Sequence, residues 1–268
     1  MTPDQDTLRE AKANLLSGGL LMPGDGLPGL PQPIERSWRR SLSQGLTPDL
    51  HGGADVAEDD IDEALVAAAR PVIAALADEV GEARVAVVLS NASGRIIDRV
   101  VRNSAQRASL DRAGAVIGSN FSETAVGTNG LGSVVAERTP MFVRGAEHFL
   151  EALEELSCAG VPIFDPGTRR IRGSLSLTCR SCDTSPLMLT LTHTAVRSIE
   201  ARLMGDRDRG LQDLATAFAI ATRGQTGPIA VLTSRTVLAN TAGLPYLSAA
   251  NHAAVSYTHL TLPTNREV

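Results

Sequence analysis

Between positions 122 and 132 the chain reads Ser-Glu-Thr-Ala-Val-Gly-Thr-Asn-Gly-Leu-Gly, with Gly127, Gly130 and Gly132 falling within six positions around Thr128 and Asn129. Such a segment turns sharply, lets backbone approach a neighbour or a small molecule closely, and keeps side-chain donors and acceptors at hand. It either binds something or closes something. In the first case Glu123 and Asn129 are the groups that orient a hydroxyl or carbonyl ligand in a polar pocket, and Asn129→Ala weakens ligand binding without unfolding the domain. In the second the glycines satisfy turns, Thr128 and Asn129 cap the following helix, and Glu123 is a first-turn carboxylate. A dinucleotide loop is excluded, because the G-x-G-x-x-G spacing after a strand and an acidic residue placed for a ribose are both missing.

The pattern on either side supplies the framework. Residues 15–33 carry five glycines and four prolines, a density of breakers that argues against a regular element there. Ile34, Trp38 and Leu42 then share one helical face, stopped at Gly45. Asp59, Asp60 and Asp62 open a second helix running toward Gly81, with a kink available at Pro71. The period then changes: residues 85–89 form a buried-strand run, 91–94 a turn and 95–101 its hairpin partner. Beyond the glycines, 131–137 suit a short helix, 141–143 a strand, and 146–156 an amphipathic helix built on Phe149, Leu150, Leu153 and Leu156. Strands over 157–164 and 171–178 flank the turn at Asp165-Pro166-Gly167-Thr168. Residues 186–223 are helical, and 228–232 with 236–240 suggest the opening hairpin of another unit.

This order of elements is an α+β arrangement with helices on the faces of a central antiparallel sheet. A net charge of −5 argues against a general phosphate-backbone binder. An acidic N-terminus and the lack of any apolar run of membrane-spanning length lead us to expect a cytoplasmic protein with no membrane contact. With Lys12 as the single lysine, no phosphate loop ending in Gly-Lys is present.

His148 follows Glu147, and its imidazole is either an effector contact or a packed structural residue. Cys179-Arg180-Ser181-Cys182 has the C-x-x-C spacing of redox and zinc sites, but a zinc site needs further ligands and no paired histidine lies near. Three cysteines are expected as free thiols, with Cys158 a small buried residue lining the pocket. Neither a metal nor a cofactor is expected. Trp38 among Arg36, Arg39 and Arg40 mimics a nucleic-acid patch; the preferred reading is a short helix docking Trp38 on the body, with solvated arginines.

Several spaced motifs occur together: Ser37-Trp38-Arg39-Arg40-Ser41 with Gly45 and Pro48-Asp49, then Gly118-Ser119-Asn120-Phe121-Ser122-Glu123, Gly127-Thr128-Asn129-Gly130-Leu131-Gly132, Glu147-His148-Phe149, Cys158 with Pro162-Ile163, Asp165-Pro166 and Gly173-Ser174-Leu175. In this order, over roughly residues 34–205, the chain resembles the GAF sensor region of bacterial transcription regulators of the acetoin-catabolism activator kind. The resemblance implies a GAF-like antiparallel sheet flanked by helices, a long exit helix, and a non-enzymatic domain sensing a small effector. Its ligand-binding residues would be Phe121, Glu123, Thr128, Asn129, His148 and Cys158. It further implies a homodimer, and DNA binding only through a Fis-like helix-turn-helix, sometimes preceded by an ATPase, that these residues do not contain. The expected organisation is a flexible lead-in (1–33), a short helix and linker (34–56), the sensor (57–205), a linker helix (206–227), the start of a truncated second domain (228–256) and a non-native tail (257–268). The rival reading from another class is a thiol-dependent enzyme on the same scaffold, such as a free methionine sulfoxide reductase. A third is a pure dimerisation module whose pocket is filled by Phe121, Phe142 and Phe149.

Overall fold

The computed structural model describes residues 4–18, 30–50, 62–81, 83–233 and 236–247. It divides between Met204 and Gly205 into two compact units. In the first, helices α1 (Gln5–Gly18), α2 (Gln32–Ser43) and α3 (Glu63–Val80) precede strands β1 (Val85–Asn91) and β2 (Ile96–Val101). Then come α4 (Ser104–Arg112), α5 (Glu123–Val126), α6 (Gly132–Glu137), β3 (Met141–Arg144), β4 (Leu156–Phe164) and β5 (Ile171–Arg180), and α7 (Leu187–Ala221) follows. The five strands form one antiparallel sheet in the order β2-β1-β5-β4-β3. The expected α+β class, GAF-like sheet and long exit helix are therefore present.

Each strand has a face on either side of the sheet, so the alternation of side chains makes two cores. Val87, Leu89, Val161, Leu175, Leu177 and Cys179 pack with α3 and with Met188, Val196, Ile199 and Leu203 of α7. Val88, Ile96, Val143 and Cys158 face the opposite way, toward α1, α2, α4 and the glycine-rich segment. Helix α3 starts where Asp62 accepts the amide of Leu65 at 3.1 Å, and it continues through Pro71; Asp59, Asp60 and Ile61 lie outside the described residues.

Three local expectations change. Within the stretch expected as a flexible lead-in, Gln5–Gly18 is helical, and Leu8 and Leu15 are buried beside Trp38; residues 19–29, with most of the glycines and prolines, lie outside the described residues. Residues 146–156 are not an amphipathic helix. They form two 3-10 turns, Gly145–Glu147 and Glu151–Leu153, separated by extended backbone at His148 and Leu150. The cause is tertiary: Phe149 N–H donates to the Thr128 carbonyl, Glu151 N–H to the Pro48 carbonyl, and the His148 carbonyl accepts from Lys12, so the segment's backbone bonds go to neighbours instead of to a helical ladder. Helix α4, capped by Asn103 on the Gln106 amide, adds an element that the apolar pattern does not announce.

In the second unit, β6 (Ala230–Leu232) pairs antiparallel with β7 (Val237–Ala239), and Asn240 Oδ1 accepts from the amides of Ile229 and Gly243. The tail proposed to be non-native lies outside the described residues.

Candidate functional site

Asn129 organises the glycine-rich segment. Its Nδ2 donates to the carbonyls of Phe121 (3.0 Å) and Gly127 (2.8 Å), and its Oδ1 accepts from the amides of Leu131 (2.8 Å) and Gly132 (2.9 Å). A carboxamide has two hydrogens and two lone pairs, so all four are engaged and none is left for a ligand. The glycines permit close approach. Gly127 holds φ +65°, and a Cβ there would stand 2.5 Å from Cβ of Phe149; a Cβ at Gly130 would overlap that of Cys158. The segment is thus pressed onto β4.

Glu123 and Thr128 face helix α2. Ser37, fully buried, donates through Oγ to Glu123 Oε2 at 2.7 Å and lies 2.7 Å from Thr128 Oγ1. Arg40 Nε reaches Glu123 Oε1 at 2.5 Å, while its Nη1 and Arg36 Nη2 bind the two oxygens of Glu137. Trp38 is completely buried and donates Nε1 to the Glu147 carbonyl at 2.8 Å. The tryptophan docks as expected, but Arg40 is a buried-network cation more than a solvated one, and Ser37 went unrecognised as a site residue.

Under the glycine-rich segment lies a cavity of about 20 Å³, bounded by the sheet, α4 and the 3-10 turns. That volume accommodates a single water. Val88, Ile96, Leu110, Leu131 and Leu153 make most of its wall apolar; Phe121, Asn129, His148 and Cys158 contribute from the predicted site, with Ser176 and Thr178 from β5. Of the six expected residues, four therefore meet at the cavity, and Glu123 and Thr128 belong to the α2 network instead. The three phenylalanines do not fill it. Phe121 is in its wall, Phe149 packs beneath Gly127, and Phe142 joins the opposite core with the Arg144 guanidinium 3.8 Å above its ring.

His148 is fully buried, with Nδ1 3.0 Å from the Gly145 carbonyl and Nε2 without a hydrogen-bond partner among the described residues. Burial lowers its pKa to about 4, against the pull of the Gly145 carbonyl, so the ring is neutral at ordinary pH. Burial likewise pushes the Cys158 thiol up to about 11, although Thr178 Oγ1 donates toward its sulfur at 3.6 Å. Cys179 points to the other face of the sheet, is pushed up to about 12 by burial and packs its sulfur 3.6 Å from that of Met188. Cys182 is exposed, and all three thiols are free. Neither Cys158 nor Cys179 holds the thiolate that nucleophilic chemistry requires.

The motif for the family described as "MimR, N-terminal domain" matches residues 2–201. The chain is 33% identical over 232 residues to the propane 2-monooxygenase operon transcriptional activator MimR of Mycolicibacterium smegmatis, covering 87% of this chain and 39% of that protein. It is 24% identical over 180 residues to the acetoin dehydrogenase operon transcriptional activator AcoR of Bacillus subtilis, covering 63% of this chain and 29% of that one. It thus spans well under half of the relatives it matches. The fold resembles that in the crystal structure of the E. coli DhaR(N)-DhaL complex, at a TM-score of 0.67 and 16% identity over 80% of this chain and 76% of that one. These relatives are transcriptional regulators, and no helix among the described residues is long and apolar enough to cross a membrane. With a match extending from the first helix to the exit helix, the chain belongs to the MimR N-terminal domain family.

Proposed function

We propose that the first unit is the effector-sensing part of a cytoplasmic bacterial transcription regulator and has no catalytic role of its own. The observation carrying this reading is the small, mostly apolar cavity lined in part by His148, a buried residue whose Nε2 has no hydrogen-bond partner among the described residues. At its present size the cavity holds one water, so a metabolite enters by displacing the wall formed by His148, Leu153 and Leu156. That displacement has two outlets. One is α1, bound to the His148 carbonyl by Lys12. The other is the sheet: Cys158 lines the cavity, and the carbonyl of its neighbour Ala159 accepts from Thr192 of α7 at 3.2 Å on the opposite face. An effector with different affinity for two positions of these elements shifts their population. Helix α7 exposes Leu187, Leu191, Met204, Leu211 and Ile220, and we assign its pairing with a second copy to that apolar surface. DNA contact is assigned to sequence outside these 268 residues.

The test is a thermal-shift screen of small neutral metabolites against the wild type and Ala115→Leu, a variant that fills the cavity. Compounds that raise the Tm of the wild type and leave the variant unmoved support the assignment. Equal shifts in both place binding elsewhere and remove it.

A further inference from the structure

We propose that the groove between the β4–β5 turn and helix α7 is a docking surface for an extended acidic segment of a partner protein. That segment seats an apolar side chain on the groove floor and pairs its carboxylates with Arg138, Arg169 and Arg197. The groove shares no lining residue with the cavity beneath the glycine-rich segment.

Among the described residues, Arg138 and Arg169 are the two non-glycine residues with a left-handed backbone, at φ 56° and 58°. Arg138 closes α6, and Arg169 sits in the turn from Asp165 to Arg170, two places where glycine or asparagine ordinarily stands. An arginine at either carries a steric penalty that glycine avoids. Both side chains nevertheless converge on one ring: their guanidinium carbons lie 5.2 and 4.6 Å from the centroid of Phe164. Arg138 Nη2 also donates to the Arg169 carbonyl at 2.9 Å, which ties the two together. Neither guanidinium meets a carboxylate among the described residues. Glu137, next to Arg138 in sequence, is taken by Arg36 and Arg40, and Asp165 by its own turn and Arg172. Stacking on phenylalanine covers the face of a guanidinium and leaves its N–H edges for an outside acceptor.

The groove beside this pair has a volume of about 220 Å³. Pro140, Val161, Pro162 and Val196 give it an apolar floor. On the α7 side, one helical turn apart, His193 and Arg197 are exposed, and Arg197 too has no ion pair among the described residues. Cations thus stand on both sides of an apolar floor in a chain whose net charge is −5.

Charge complementarity asks for carboxylates flanking an apolar residue. A nucleic-acid backbone fits less well. Glu200, whose Oε1 accepts from the Phe164 amide at 2.8 Å, puts a negative charge in the lining, and the Phe164 ring already carries two guanidiniums where a base would stack.

The test titrates the full chain, by fluorescence anisotropy, into labelled hexapeptides with paired leucine, valine or phenylalanine between Glu-Asp and Asp-Glu. Their Gln/Asn counterparts and an oligothymidylate serve as comparisons. At least one acidic peptide binds roughly tenfold more tightly than its neutral counterpart, and the advantage shrinks as salt rises. Arg138→Gly and Arg169→Gly suit the left-handed backbone, so each keeps the Tm within about 3 °C of the wild type. Each nevertheless weakens the acidic peptide about fivefold, and Arg169→Glu combined with Arg197→Glu abolishes its binding. The proposal is overturned if no acidic peptide binds saturably, if neutral peptides bind as well, or if the glycine variants bind like the wild type. Oligothymidylate that binds more tightly than every peptide and is lost in the same variants gives the groove to nucleic acid and overturns it as well.

Discussion

Lys12 Nζ lies 2.7 Å from the carbonyl oxygen of His148 and 2.9 Å from Glu154 Oε1, joining helix α1 to the cavity wall across 136 residues of sequence. The ammonium also stands 5.5 Å from the centroid of the Trp38 ring. Burial lowers the Lys12 pKa against the pull of Glu154; burial alone would raise the Glu154 carboxyl, but Lys12 and Arg9 hold it below the usual carboxylate range. Lys12→Met leaves the His148 carbonyl without its donor and Glu154 without its buried partner, at a cost of about 2 kcal/mol. Chemical denaturation reads the loss, and amide exchange across Gln5–Gly18 accelerates with it. Arg9→Ala, which removes a largely exposed partner of the same carboxylate, has a much smaller effect.

The buried imidazole makes stability depend on pH in a defined window. An unfolded histidine protonates near 6.5, whereas folded His148 stays neutral down to about 4. The unfolded state therefore binds the proton first as pH falls. Its stabilising contribution is complete above about 6.5 and is lost progressively toward 4, by about 3 kcal/mol in all. Lys12 opposes protonation of the ring and Glu154 favours it, but desolvation outweighs both. Denaturation between pH 7 and pH 4 shows this slope in the wild type and not in His148→Gln. Parallel curves would mean that the ring is hydrated.

Gly130 and Gly210 form a matched pair of glycine-to-alanine tests. A methyl at Gly130 runs into Cβ of Cys158 and forces the glycine-rich segment off the sheet, for a loss of about 3 kcal/mol. Gly210 lies inside α7 with nothing within 4 Å of a built Cβ, and alanine there stabilises the helix by about 0.5 kcal/mol. Thermal denaturation of the two variants gives opposite signs.

Asn129→Ala removes a donor or acceptor from four backbone groups at once, all buried within the turn. The amino-acid pattern alone suggests weaker ligand binding in an intact domain; the hydrogen bonds require instead a loss of stability of about 3 kcal/mol. A urea midpoint equal to that of the wild type would return Asn129 to the role of a ligand contact.

Strands β1 to β5 are legible from sequence because each is an apolar or alternating run bounded by turn chemistry, such as Asn91 to Gly94 and Asp165 to Thr168. Helices α1 and α4 are not, since each buries few apolar side chains, Leu8 and Leu15 in one and Leu110 in the other. Residues 146–156 mislead for the opposite reason: their apolar spacing is helical, but Lys12, Thr128 and Pro48 take over the backbone bonds. The same division holds at the site. Phe121, His148 and Cys158 can be picked out by residue type and position, whereas the partner of Glu123 and Thr128 is Ser37, roughly 90 residues away, and no local spacing signals that meeting.

The most direct test of the central assignment is to locate a bound probe. With methyl-labelled protein and a neutral compound that passes the thermal-shift screen, intermolecular nuclear Overhauser contacts should reach the methyl groups of Val88, Ile96, Leu110 and Leu131, which line the cavity. Contacts instead to Leu16 and Ala13, in the open groove between α1 and Glu151, would contradict the account and move the effector site to the protein surface.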